Sequence, residues 1–329
     1  MKSNLEKLKN VKASPLTNLL PVKTFYFDDK IKFPCVVESN IQGANLTNWY
    51  KSNEEYCKEV VLNNGGILFR GFNIETLDEF STFIKELDFK PLKYSNRTSP
   101  RNQVAENVYT STNQPNSEVI NFHSENSYSI NPPRHLIFCC IIEPSEGGET
   151  PLDCNIEILS KLPNDLKEKF RRLGIKYRRN VNNSLGLGWK EIFQVETRQE
   201  VENECVKNNI TFQWIEDNLI LEWNSPAICQ HPSNGDDVWF NHGYFFNEFS
   251  YSSDFLKIIE SEEDFPFLTF FGDGSVISKN EYMLIHQAYE TSKIEFKWKK
   301  GDVLIIDNYL LSHARNPYQG ERRIIVSIF

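Results

Sequence analysis

The closing stretch GDVLIIDNYLLSHARNPYQGERRIIVSIF, residues 301–329, holds two apolar runs separated by a turn. DVLIIDNYLL (302–311) and RRIIVSIF (322–329) are rich in Ile, Val and Leu, which suit a pleated, half-buried surface. NPYQG between them carries the Pro and Gly of a chain reversal, so both runs are expected as strands. Working outward, GGILFRGF (65–72), RHLIFCCIIEP (134–144), ITFQWI (210–215), LILEW (219–223), VWFNHGYFF (238–246) and IEFKW (294–298) read the same way. Helical spacing marks LDEFSTFIKEL (77–87), LPNDLKEKFRRLGIKY (162–177) and EYMLIHQAYETS (281–292). Many β segments with a few helices point to a mainly β chain with helical additions (α+β), built on a double-stranded β-helix or jelly roll. There is no uninterrupted βαβ alternation, and no GxGxxG follows a strand, which argues against a dinucleotide-binding sheet.

No Pro/Gly/Ser-rich linker divides the 329 residues, so a single domain over 1–329 is expected, with residues 1–22 as a loose N-terminal arm. The net charge of −9 and the shortness of basic runs such as KFRR (169–172) and KWKK (297–300) speak against nucleic acid and anionic membranes as partners. No apolar run approaches a membrane span, and the N-terminus lacks the apolar stretch of a signal peptide. Seven cysteines without regular spacing suit a reducing compartment, and the expected location is the cytoplasm.

The sharpest local signal is NFHSEN, residues 121–126. On a strand, residues two apart share a face, so His123 and Glu125 could reach one ion. Two imidazoles and one carboxylate form a facial triad that leaves positions open for a bidentate co-substrate and O2, and His313 is the candidate third ligand. An HxE pair alone is a weak signal. Of the other histidines, only His242, beside Asn241, is kept as a candidate for a cavity wall. A dicarboxylate such as 2-oxoglutarate would need a cationic fork for its far end. Arg322 and Arg323 are both available, and strand alternation allows only one of them to face a pocket. Thr150, in GGETP, could add a hydroxyl where Gly147 and Gly148 permit close backbone approach.

Taken together, NFHSEN, RHLIFCCIIEPSEGGETPLDC and the closing stretch resemble the TauD/TfdA-like Fe(II)/2-oxoglutarate dioxygenases, in particular the clavaminate-synthase-like branch. The resemblance spans roughly residues 40–329. It implies Fe(II) on His123, Glu125 and His313. It also implies 2-oxoglutarate as co-substrate on Thr150 and an Arg of the terminal pair, Arg322 by the pattern HxRxPYxGxR with Arg323 as runner-up, and O2 as oxidant. The expected reaction oxidatively decarboxylates 2-oxoglutarate to succinate and CO2 while hydroxylating, desaturating or cyclising a small amino-acid-like substrate, free or tethered to a carrier protein. Tyr109, Ser111 and Asn241 are the candidate substrate walls. Two features depart from the family pattern. Glu125 stands where many members carry Asp, and a second Arg four residues beyond the first is missing, which argues against a sulfonate substrate. A metal-dependent hydrolase would leave Thr150 and the paired Arg without purpose. A non-catalytic small-molecule binding protein keeping the fold would have no need of the complete ligand set.

Overall fold

In the computed structural model, which describes residues 21–89, 103–111, 114–182 and 188–329, the run 302–311 is two strands rather than one. These are β16 (Val303–Asp307) and β17 (Leu311–Arg315). The break is chemical: the Asp307 carboxylate accepts the N–H groups of Tyr309 and Leu310, at 2.9 and 3.3 Å, and so closes a side-chain-held turn. Its consequence is architectural, because the two strands enter different sheets.

β16 lies inside an eight-stranded sheet. The order is β1 (Val22–Phe25), β2 (Cys35–Ser39), β3 (Gly66–Arg70), β16, β7 (His135–Ile142), β19 (Arg323–Ile328), β5 (Val108–Thr110) and β4 (Gln103–Ala105). Only β2 and β3 run parallel; the other neighbours are antiparallel. Alternation then sorts side chains by face. Val303 and Ile305 join Trp49, Tyr50, Phe80 and Phe83 from the helices packed on one side. Leu304 and Ile306 join Phe138, Ile324 and Val326 on the other. β17 pairs instead with β6 (Ile120–His123) and β9 (Leu152–Cys154) in a facing three-stranded sheet. Leu311 and Leu152 of that sheet meet Leu136 and Phe138 of the large one. The fold is thus mainly β with helical additions, a double-stranded β-helix.

Several local expectations are corrected. The helix begun at 162–177 stops at Leu173, where Gly174 turns with φ +68°, and Ile175–Val181 continues as strand β10. VWFNHGYFF is extended only as far as Trp239, because the polar Asn241 and His242 bend the chain into turns. IEFKW is no strand: Ile294 makes a single bridge to Leu152, while Phe296 and Trp298 are buried as plugs. Of the expected arm, residues 1–20 lie outside the described residues, and Val22 already pairs with Ser39.

Candidate active site

β6 and β17 are antiparallel, and His123 stands directly opposite His313 in their register. Cross-strand partners project to the same face, so the two rings lie side by side, with centroids 4.3 Å apart. Glu125 arrives by a different route. β6 ends at His123, and Glu125 sits in the following turn, so strand alternation does not aim its carboxylate. Even so, ligand atoms of His123, Glu125 and His313 all lie within 4.8 Å of one another. His313 and Glu125 are buried, and His123 is half-buried.

His123 Nδ1 is 2.9 Å from the carbonyl oxygen of Asn121. A carbonyl can only accept, so Nδ1 carries the proton and Nε2 presents the lone pair a metal needs. Two imidazoles and a carboxylate are the donor set that suits a non-haem ferrous ion with open positions. The residues present therefore fit the metal that the sequence implies.

These side chains line a cavity of about 490 Å³ whose wall also includes Thr150 and Arg322. Arg322 donates through Nε to the Gly148 carbonyl at 2.9 Å and through Nη2 to the Thr150 hydroxyl at 3.3 Å. Trp298 Nε1 donates to the same hydroxyl at 3.0 Å. With its oxygen accepting twice, Thr150 retains its own proton to offer an anion. Gly148 has φ +70°, and a Cβ there would stand 3.0 Å from Arg322 Cδ, so glycine is what lets the guanidinium pass. Burial, then the neighbouring Arg315 charge, brings the Arg322 pKa down to about 10, leaving it cationic at neutral pH. Arg323 is exposed and lies outside the cavity wall.

The three candidate substrate residues part company. Ser111 lines the cavity. Tyr109 is buried opposite Val326 and is absent from the lining. Asn241 braces a turn, donating to the Ala227 carbonyl and accepting the Gly243 N–H, each at 2.8 Å, and it too is absent from the lining. Its neighbour His242 does face the cavity, with Nδ1 2.7 Å from the Ser127 hydroxyl. Burial first, then the nearby His123, keeps His242 neutral, with its pKa well below the usual histidine range. Phe245, Tyr251, Phe255 and Phe267 make much of the remaining wall aromatic.

Arg315 and Trp298 were not singled out by sequence. Arg315 shares its strand with His313 and donates to the carbonyls of Gln114 and Glu118, at 3.0 and 2.8 Å, holding the lip of the cavity. Its place in HxR is a usable signal. Trp298 has none, because its contact with Thr150 spans 148 residues.

Known proteins resemble this chain in sequence and in fold. The profile of the family described as "Taurine catabolism dioxygenase TauD, TfdA family" matches residues 29–328. The dapdiamide synthesis protein DdaC of Enterobacter agglomerans is 34% identical over 298 residues, covering 89% of this chain and 90% of its own. A clavaminate synthase-like protein of Arabidopsis thaliana is 28% identical over 294 residues, covering 86% and 87%. Among solved structures, PvcB, described as an Fe, alpha-ketoglutarate dependent oxygenase from an isonitrile synthetic pathway, superposes with a TM-score of 0.57. It is 13% identical, covering 96% of this chain and 94% of its own, which is a likeness of fold. On the span of the family match and the identity to DdaC, the chain belongs to the TauD/TfdA family of dioxygenases.

Proposed function

We propose that this chain is an Fe(II)- and 2-oxoglutarate-dependent oxygenase that oxidises a small amino-acid-like molecule. The observation that carries the reading is the placement of two imidazoles and a carboxylate, within 4.8 Å of one another, in one cavity with an arginine–threonine anion clamp. His123, Glu125 and His313 would hold the iron. When bound, iron and the 2-oxo acid supply the oxidising power for attack on an unactivated carbon. The protein's own groups do the rest. Arg322 and the Thr150 hydroxyl hold the far carboxylate of 2-oxoglutarate. The aromatic wall takes the apolar part of the substrate and excludes water, while Ser111 and neutral His242 offer it hydrogen bonds. The dapdiamide synthesis relative and PvcB, the fold neighbour from an isonitrile synthetic pathway, support a small amino-acid-like substrate in natural-product synthesis.

The test is succinate release from 2-oxoglutarate with Fe(II), across a panel of amino acids supplied free and carrier-tethered. His123→Ala, Glu125→Ala and His313→Ala should each abolish turnover while leaving the circular dichroism spectrum unchanged. Full turnover in the His313→Ala protein would sink the ligand assignment. Zn(II)-dependent hydrolysis without succinate would replace the oxygenase reading.

A further inference from the structure

We propose that Asn308 is a positioning residue of the metal centre, setting the Glu125 carboxylate by gripping the Glu125 backbone. The proposal rests on the ligand assignment above.

His123 and His313 need no such help, because strand pairing already fixes them face to face. Glu125 lies beyond the end of β6, ahead of Asn126 with φ +49°, and no strand ladder holds it. A Glu side chain has three torsions, so its oxygens are only as well placed as the backbone that launches them. Asn308 supplies that anchor. Its Oδ1 accepts the Glu125 N–H at 2.7 Å, and its Nδ2 donates to the Glu125 carbonyl at 2.9 Å. The same Nδ2 donates to the Pro133 carbonyl at 2.9 Å. One primary amide thus satisfies both polar groups of one backbone residue, and the side chain is completely buried.

Asn308 also lies in the turn between β16 and β17, five residues before His313. A single side chain therefore ties the segment carrying the carboxylate to the strand carrying an imidazole. Neither Asp nor Ala does the same work. Asp would set a carboxylate oxygen against two carbonyls, and Ala would strand a buried N–H and two carbonyl oxygens. Asn308 is not among the residues lining the cavity, so it acts on the site through the backbone it holds, and two of its three side-chain hydrogen bonds are to Glu125.

The experiment is a double-mutant cycle on Mn(II) affinity, using Mn(II) alone as the probe and reading free Mn(II) by electron paramagnetic resonance. Asn308→Ala should weaken Mn(II) binding by about tenfold or more in the otherwise native protein, and by less than about twofold when Glu125→Ala is already present. If Asn308→Ala does not fold, as judged by circular dichroism, Asn308→Ser takes its place in the cycle. Equal losses in both backgrounds, or no loss in either, would overturn the proposal. Native Mn(II) affinity in both His123→Ala and His313→Ala would overturn the ligand assignment itself, and this inference with it.

Discussion

Arg322 and Arg323 carry the same side chain one position apart, at the entry to β19, and stand in opposite environments. Arg322 meets Thr150 in the cavity wall, while Arg323 is exposed. A charge-assisted hydrogen bond is worth about 1.5–3 kcal/mol, so Arg322→Ala should raise the 2-oxoglutarate concentration needed for half-maximal succinate release by roughly tenfold or more. Arg323→Ala should leave it nearly unchanged. The reverse result would exchange their roles. Glu125 bears on the outcome of the reaction. Where a small residue replaces the carboxylate ligand, as in halogenases, chloride takes its place; on the ligand set proposed above, the Glu125 carboxylate would occupy that position instead. Product mass measured in saturating chloride should show one added oxygen, or the loss of two hydrogens for desaturation or ring closure. A chlorinated product from the unaltered protein would refute the role given to Glu125. The residue types at these positions are readable from sequence; alternation alone does not choose within the arginine pair, and the family pattern favours Arg322. Trp298, which donates to Thr150, gave no signal.

At the scale of the element, β9 carries a buried acid in the sheet that bears both imidazoles. Asp153 is fully buried, accepting the Ser292 hydroxyl at 2.9 Å and the Cys154 N–H at 2.7 Å. Burial raises its pKa from 3.8 to about 8. The folded protein keeps a proton there that the unfolded chain releases near pH 4. This contribution to stability is therefore present below pH 4 and lost as pH rises through about 8. Asp153→Asn preserves the shape without the titration. Thermal melts of the two proteins should diverge between about pH 4 and pH 8, the variant gaining relative stability as pH rises. Parallel curves would show that Asp153 ionises normally. Sequence patterning located many of the elements but misjudged some ends for identifiable reasons. Gly174 ends a helix inside an apparently continuous pattern, and Asp307 breaks one apolar run into two strands. Periodicity measures apolar spacing, and both breaks come from backbone geometry and side-chain hydrogen bonds.

Across the whole molecule, the N-terminal and C-terminal parts of the large sheet are bound by a buried ion pair. Arg70 on β3 gives Asp302, just before β16, two hydrogen bonds of 2.9 and 2.6 Å. Asp302 is completely buried and also accepts the Lys299 N–H at 2.8 Å. Asp302→Ala leaves the guanidinium buried without its partner, so urea denaturation should report a loss of about 3–5 kcal/mol. A loss below about 1 kcal/mol would mean that the pair is solvated or replaceable. The sequence by itself determined the mainly β class, the two histidines and the carboxylate, and the basic pair after the last turn. These follow from residue type and from spacing within one segment. Tertiary structure alone decided that β16 and β17 enter different sheets and that His123 faces His313 in register. It also decided that Glu125 reaches the site from a turn gripped by Asn308, 183 residues away. The reason is physical: alternation and propensity act over neighbouring residues, whereas a ligand cluster is a set of distances between segments, fixed only when strands pair and buried polar groups find partners.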